Sequence, residues 1–469
     1  MPIIQNKHSF IKIGVLYTIS NLAVRAIAFL TTPLFTRLMS QNEFGEWNSV
    51  SSWVNIISII LTLNLYSTIS RAKYDYKDSI MSYMSSILLF GSSITLFSWA
   101  IIELKMDFFV NLLSINKLFI RCILLYCLIT PATQLLLCKF RMYNEYRGVI
   151  LITWVTILSA TLTSLILVAL MSDKLLGRII GNYIVVALVN IPLYIYIIQK
   201  GKSFVLRHVK YALIIALPLI PHELSGVLLS SSDRIIIKEL CGATDTALYS
   251  LAYTIALILS VLLSSMNQAW IPWFFDKLSL NLDSSINRIV KVYVIAFAIL
   301  CIGLMFIGPD LVILFGGQEY QSAQYVIPPV CVALMLQFCY TLYVNIEFYY
   351  KKTFLISIAT LLATMINIAL NYILIPYFGY IAAAYTTMMG YLFMLVFHFF
   401  AVSKFTPRGK IFSIKIIVIS LIVVIGSAEL VKMLYGYTLL RYVFLIAYIS
   451  FFAVILSKQY HKLKNLLNL

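Results

Sequence analysis

The sequence predicts an all-α integral membrane protein with about fourteen transmembrane helices. Of its 469 residues, 61% are hydrophobic and 11% are charged, whereas soluble domains carry about 25% charged residues. The apolar runs are long and continuous, a pattern that favours spanning helices over the alternating strands of a membrane barrel. The chain therefore fits lipid, rather than water, as its outer solvent.

The predicted spans follow from the charge-free intervals, because a helix needs roughly 20 apolar residues to cross the hydrocarbon core. The first apolar stretch is too long for a cleaved signal peptide and lacks a small-residue cleavage site, so we expect a retained helix. The uncharged stretch between Lys352 and Lys404 is broken by a turn signal at Pro376 and Gly379, which predicts a helical hairpin. We place the spans at 13–36, 47–70, 80–102, 118–138, 149–171, 177–199, 211–232, 246–269, 287–307, 325–346, 353–375, 380–402, 411–431 and 439–457.

The Lys and Arg residues are distributed unequally between the two sets of loops. If the N-terminus is cytoplasmic, 24 of the 35 Lys and Arg residues lie inside and 10 lie outside. This bias predicts an even number of helices, with the N- and C-termini both cytoplasmic. The net charge of +17 lies in short loops, so it indicates membrane lipids as partners and argues against nucleic acid.

Two segments about 200 residues apart resemble each other. Residues 36–47 and 237–249 each contain a basic residue at a helix end, a short polar turn and an aromatic residue opening the next helix. One interpretation is that all outer hairpins look alike. The other is a repeat of six helices, giving two pseudo-symmetric lobes. The predicted division is then 1–205, 206–405 and 406–469, with the last two helices as an appendage.

Several short motifs resemble those of Wzx-type O-antigen flippases. The segment Leu217–Gly226 followed by Ser232–Ile237 is similar to the seventh-helix signature of that family. So is Pro33–Arg37 with Phe44 and Gly45 after the first helix. The hairpin at Asn371–Pro376, with Gly379 and Ala382–Ala384, resembles the family's connection between helices eleven and twelve. The family belongs to the multidrug/oligosaccharidyl-lipid/polysaccharide exporter (MOP) superfamily.

The resemblance implies a fold, a substrate and a cellular location. The fold would be two six-helix lobes around a V-shaped cavity that works by alternating access. The substrate would be an oligosaccharide on undecaprenyl diphosphate, moved from the cytoplasmic to the periplasmic leaflet of the bacterial inner membrane. Expected partners are this lipid-linked oligosaccharide, a polysaccharide polymerase and a chain-length regulator.

Arg25 lies near the middle of the first predicted span. A mid-helix Arg is unfavourable by about 2.5–3.5 kcal/mol on insertion scales, so it must face protein or water. It can lock two helices through an ion pair, or it can meet the diphosphate in the cavity. Guanidinium stays charged and binds phosphate oxygens in a bidentate manner.

The seventh span carries the candidates for ion coupling and gating. Pro218 and Pro221 should kink or loosen this helix. His222 and Glu223 follow at once, and either Glu223 pairs with Arg25 or the two residues form a proton- or sodium-coupling site. The Wzx-type family often has a neutral residue where Glu223 stands, which weakens the carry-over of a coupling role.

Other charged residues fall near predicted helix ends. Asp233 and Arg234 are expected at the outer membrane face. They form a structural ion pair there, or Asp233 takes part in coupling and Arg234 binds substrate. Lys238 and Glu239 are expected there too, with a helix-end role, and Glu347 and Glu429 are expected to snorkel.

Polar residues within or near the spans are expected to join helices, and a minority to contact sugar hydroxyls. These residues are Asn64, Asn190, Gln268, Gln337, Asn345, Asn367 and Asn371. The candidate substrate-binding residues are Arg25, Arg234, Asn64 and Asn367.

No phosphate-binding loop, HExxH or DxD signature is present, and the seven Cys have no metal-ligand spacing. The sequence therefore predicts a transporter without cofactors, driven by a proton, sodium or substrate gradient. Two alternatives are a membrane-embedded polysaccharide polymerase and a multidrug exporter of the same superfamily. A polymerase would be expected to show a large periplasmic loop, and an exporter of organic cations would favour acidic residues in its cavity.

Overall fold

The computed structural model describes residues 26–27, 29–407 and 411–467, and every regular element in these ranges is helical. The helices are α1 (29–38), α2 (Gln41–Thr62), α3 (Leu65–Asp75), α4 (Lys77–Leu104), α5 (Met106–Leu113), α6 (Lys117–Met142), α7 (Tyr146–Leu170), α8 (Lys174–Gly201), α9 (Leu206–Cys241), α10 (Ala243–Ser279), α11 (Asp283–Gly316), α12 (Gln318–Tyr349), α13 (Thr353–Phe378), α14 (Ala382–Phe405), α15 (Ile414–Leu434) and α16 (Thr438–Leu467).

The helix count agrees with the prediction. Among the described residues, 11 helices are long and apolar enough to cross a membrane, or 12 if the bent pair α2–α3 is one span. The remaining two predicted spans correspond to α1, which is described only from its second half, and to the apolar part of α16 at Thr438–Phe452. The predicted all-α membrane fold is therefore confirmed.

The surface of these helices suits lipid. Large apolar side chains are exposed on helices along the chain, for example Phe97 on α4, Leu151 on α7, Leu188 on α8 and Ile419 on α15. Soluble proteins rarely expose large apolar patches to water. Together with the number of membrane-length helices, this exposure makes the chain a multi-pass membrane protein.

The second predicted span, 47–70, is broken rather than continuous. Leu63 and Asn64 have φ values of 50° and 49°, in the left-handed region, and α2 and α3 are inclined by 57° to each other. Asn tolerates this conformation better than most residues. Periodicity does not reveal such a break, because the apolar pattern continues through it.

The chain forms two compact units. One comprises Met1–Ser250 and Ser357–Ala383, and the other Leu251–Ile356 and Ala384–Leu469. In the first unit the core includes the fully buried Tyr83 of α4. In the second, α11, α12 and α15 pack together, and the rings of Phe297 and Phe338 stack at 4.5 Å. The division into 1–205, 206–405 and 406–469 concerns internal symmetry and stays a prediction.

Candidate functional site

A buried carboxylate joins three helices of the first unit. Asp233 on α9 is 2% exposed. Its Oδ2 accepts a hydrogen bond from the Tyr249 hydroxyl on α10 at 2.6 Å, and its Oδ1 accepts one from Nδ2 of Asn371 on α13 at 2.7 Å. Both donors are neutral groups that hydrogen-bond to the carboxylate oxygens. Carboxylate, amide and phenol oxygens are suitable ligands for a hard cation or a proton.

Asn367 lies one helical turn before Asn371 and belongs to the same cluster. It is fully buried, and its Oδ1 lies 3.4 Å from Nδ2 of Asn371. The structure thus places this predicted sugar ligand beside the Asp233 carboxylate. Its predicted role in substrate binding is untested.

The two prolines of α9 loosen the helix as predicted. Its α-helical parts, Leu206–Ala216 and Ile220–Cys241, are separated by a 3₁₀ turn at Leu217–Leu219, which contains Pro218. The carbonyl oxygen of Pro221 accepts a hydrogen bond from the Ser225 hydroxyl at 2.6 Å. The carbonyl oxygen of Ser225 accepts another from the Thr364 hydroxyl of α13 at 2.9 Å. Hydroxyl groups therefore provide donors to carbonyls near the break.

His222 and Glu223 lie just after this break. His222 is half-buried, and its Nδ1 is buried with no hydrogen-bond partner among the described residues. Glu223 is exposed and forms no ion pair within the described part of the chain. Arg25, the predicted partner, lies outside the described residues, so the predicted Arg25–Glu223 pair is untested.

The other two predicted substrate ligands also lie in the first unit. Asn64 is 2% exposed at the bend between α2 and α3, and its side-chain oxygen has no hydrogen-bond partner among the described residues. Arg234 is half-buried, and its Nη1 donates to the Ser230 carbonyl at 3.3 Å. Their predicted roles in substrate binding stay predictions.

The two segments that resemble each other in sequence are in contact in the structure. α2 begins with a capping box in which Ser40 and Glu43 satisfy each other's backbone amides. α9 ends at Gly242, whose φ of +97° suits only glycine well. These two helix ends bring Gly45 of α2 against Ala243 of α10. A Cβ added to Gly45 would lie 1.7 Å from the Ala243 carbonyl oxygen.

An ion pair lies beside this close approach. Nζ of Lys238 lies 2.5 Å from Oε2 of Glu46 and donates to the Ser114 carbonyl at 2.8 Å. These residues join α2 to the end of α9 and to the first residue of α10. We call the set Gly45, Glu46, Lys238 and Ala243 the α2–α9 contact. The sequence expectation gave Lys238 a helix-end role and did not pair it with Glu46. The resemblance between the two segments was the available sequence signal.

Reversing either charge of this ion pair should weaken the α2–α9 contact. We expect Glu46→Lys and Lys238→Glu each to lower the thermal unfolding temperature of the purified protein. The double reversal should recover part of the loss, with a coupling free energy of about 1 kcal/mol for a pair that keeps some solvent exposure. Additive effects of the two single reversals would show that the pair contributes nothing.

Arg178 of α8 is enclosed by aromatic rings. It is 9% exposed, and its guanidinium carbon lies 3.9 Å from the ring centre of Phe35, 4.5 Å from that of Trp47 and 5.2 Å from that of Phe44. Such contacts stabilise a cation by about 0.5–2 kcal/mol. They tie α8 to α1 and to the first turns of α2, directly beside the α2–α9 contact.

In the second unit the structure corrects the expectation for Glu347. This residue of α12 was predicted to snorkel, but it is fully buried and pairs with His398 of α14, which is also fully buried. A helix-end position in sequence indicated exposure, but packing of α12 against α14 covers the carboxylate. Glu429 does match the expectation, because it is exposed and pairs with Lys432.

Two polar residues of the second unit join helices, as predicted for polar residues within or near the spans. Nδ2 of Asn345 on α12 donates to Oδ1 of Asn267 on α10 at 2.8 Å. Such bonds hold spanning helices together where no water competes.

Comparison with known proteins identifies the family of the chain. The sequence matches the family model described as polysaccharide biosynthesis protein over residues 11–278, which is more than half of the chain. The chain belongs to this family. The chain is similar to the Lsg locus putative protein 1 of Haemophilus influenzae. The two are 23% identical over 374 residues, which cover 76% of this chain and 89% of the relative. It is also similar to an uncharacterized membrane protein of the same organism, 25% identical and covering 76% and 88% of the two chains.

Solved structures show the fold of this polysaccharide biosynthesis family member. The lipid II flippase MurJ in an inward closed conformation has a TM-score of 0.75, covers 95% of this chain and 99% of its own, and is 14% identical. An outward-facing multidrug resistance MATE family transporter of the MOP superfamily has a TM-score of 0.53, covers 91% and 96%, and is 12% identical. The chain therefore shares the fold of these two proteins, as the sequence resemblance implied.

Proposed function

We propose that this family member is a flippase that moves an oligosaccharide linked to undecaprenyl diphosphate from the cytoplasmic to the periplasmic leaflet of the bacterial inner membrane. The observation that carries the proposal is its fold, which follows that of a lipid II flippase along 95% of the chain at a TM-score of 0.75. The family match to polysaccharide biosynthesis supports a saccharide as the transported group.

The physical task is to move a polar, doubly anionic head across about 30 Å of hydrocarbon. A hydrated path lined by cationic and polar groups replaces that barrier. Moving one negative charge outward against an inside-negative potential is favourable by about 2.3 kcal/mol per 100 mV. The potential therefore biases the direction, and an ion gradient of protons or sodium adds to it. Arg25, Arg234, Asn64 and Asn367 remain the proposed substrate contacts.

The loop charges orient the protein with both termini in the cytoplasm, because 24 of the 35 Lys and Arg residues then lie inside. In this orientation the hairpin between α1 and α2 lies on the periplasmic side. The α2–α9 contact then closes the periplasmic end of the path and must part to release substrate. Its small contact residues and its breakable ion pair suit a seal that opens and closes.

The proposed coupling residues lie on the helix that bears this seal. Asp233 precedes Lys238 on α9 and bonds to α10 and α13. A cation or proton bound by the Asp233 carboxylate would change these bonds, and with them the position of the α9 end. The break at Pro218 and Pro221 gives the helix a place to bend, as expected of a gating element. His222 and Glu223 lie at that break and remain coupling candidates.

Deletion of the gene followed by analysis of the lipid-linked sugars tests the proposal. A flippase mutant should accumulate complete, unpolymerised lipid-linked units on the cytoplasmic leaflet, restored to normal by the wild-type chain. Single units delivered to the periplasm but left unpolymerised would indicate the alternative, a polymerase. Normal polysaccharide with increased sensitivity to organic cations would indicate a multidrug exporter.

A further inference from the structure

The pair of Glu347 and His398 in the second unit is a fully buried acid–base pair. Nδ1 of His398 on α14 lies 2.9 Å from Oε1 and 3.0 Å from Oε2 of Glu347 on α12. Both side chains are 0% exposed. Because a carboxylate can only accept, a hydrogen on Nδ1 must be donated to it, unless Glu347 itself carries the proton.

The other ring nitrogen of His398 makes no hydrogen bond. Nε2 is buried and has no partner among the described residues. The ring of Tyr340 stacks on the imidazole at 5.9 Å, and Phe397 meets its edge at 5.6 Å. The pair is thus surrounded by aromatic groups that cannot stabilise a net charge as water does.

The titratable groups placed around the pair are phenols. Tyr340 of α12 contacts the imidazole, and Tyr391 of α14 lies 5.9 Å from Tyr340. Phenols remain neutral across the physiological pH range. Within the described part of the chain, no Lys, Arg, Asp or Glu forms a further ion pair with Glu347 or His398.

The number of protons therefore decides the net charge of the pair. With ionised Glu347 and neutral His398 the pair carries one negative charge in an apolar interior. With one more proton, held by either residue, the pair is neutral. A net charge is far less stable in such an interior than a neutral pair.

We propose that Glu347 and His398 form a proton-binding site. In the buried arrangement the pair holds one proton taken from hydronium, which leaves as water. When α12 and α14 part and water reaches the pair, the charged form is hydrated and the proton returns to water. Acidification therefore favours the buried arrangement, and alkaline pH favours the hydrated one.

This site deepens the proposed function by naming the coupling ion, and it rests on that function only for the link between the proton and transport. The proposal requires that α12 and α14, which belong to the same unit, part during the transport cycle. A proton bound in one state and released in the other can then draw on the proton gradient.

The test is infrared difference spectroscopy of the purified full-length protein in lipid vesicles, titrated with pH in the absence of substrate. The wild type should show a carboxyl and imidazole protonation change that Glu347→Gln and His398→Gln both remove. His208→Gln is the matched control and should keep the signal. His208 is a buried histidine of the first unit that lies 3.3 Å from the Ser86 hydroxyl. A wild-type signal that persists in both Glu347→Gln and His398→Gln overturns the proposal.

A double variant covers the case in which a single variant fails to fold. Glu347→Gln with His398→Gln keeps two hydrogen-bonding side chains and has no group that titrates. It should lack the protonation signal, and the pH dependence of transport in vesicles should be lost. Protonation without any transport by the wild type would contradict the flippase function and support the proton site. Transport with the same pH dependence in the double variant would contradict the site and support the flippase.

Discussion

Replacing Gly45 by valine should abolish transport. Any Cβ at this position lies 1.7 Å from the Ala243 carbonyl oxygen, a backbone atom that cannot rotate away. Overpacking typically destabilises by about 1–3 kcal/mol, and we expect the upper end here. That would lower the equilibrium constant for forming the closed contact by about 100-fold. Gly45→Ala should show the same defect to a smaller degree.

The readout is polysaccharide on the cell surface, together with chemical crosslinking of the contact itself. Cysteines at positions 46 and 238, in a chain without the seven native cysteines, should be joined by a short bifunctional thiol reagent when Gly45 is present and should not be joined with Gly45→Val. Gly226→Ala is the matched control, because nothing lies within 4 Å of a Cβ added there on α9. Full transport by Gly45→Val at normal abundance would show that the contact does not form part of the transport cycle.

Removing the Asp233 carboxylate should have the second large effect. Asp233→Ala leaves the Tyr249 hydroxyl and the Asn371 amide without this acceptor, at a cost of about 1–3 kcal/mol for each buried group. We expect low protein abundance and no transport. Asp233→Asn keeps the shape and removes the charge, so we expect it to fold and still lose transport.

Comparing these two variants separates stability from function. Protein level in the membrane and thermal unfolding report the first, and surface polysaccharide reports the second. Glu239→Gln is the control on the same helix. Glu239 is exposed, and its carboxylate accepts a hydrogen bond from the Tyr372 hydroxyl at 3.0 Å. Wild-type transport by Asp233→Asn would exclude a role for the carboxylate charge.

The fold could be predicted because lipid imposes one rule on the whole chain. A spanning segment must satisfy its own backbone and present about 20 apolar residues, so charge-free intervals mark helices directly. The break at Leu63 and Asn64 was missed for the same reason. It depends on two backbone angles and leaves the apolar pattern intact, so composition gives no warning.

The candidate site was predictable only in part. Asp233 was noted as a charge at the outer membrane face, within the segment that resembles the seventh-helix signature, and Pro218 and Pro221 were noted because proline disturbs a helix locally. The burial of Asp233 among three helices was not predicted. The partners of Asp233 could not be found, since Tyr249 and Asn371 meet it through packing of three helices. Glu347 was interpreted wrongly for this reason as well: its partner His398 lies on another helix, and no sequence pattern links them.

Translocation in reconstituted vesicles tests whether the protein flips a lipid-linked oligosaccharide. The purified chain is placed in vesicles with undecaprenyl diphosphate carrying a labelled oligosaccharide, and a membrane-impermeant glycosidase is added outside. Wild-type protein should expose substrate from the inner leaflet to the enzyme, Gly226→Ala should match it, and Gly45→Val should behave like protein-free vesicles. Inner-leaflet substrate that stays protected with folded wild-type protein, with and without a membrane potential or pH gradient, would contradict the proposed flippase function.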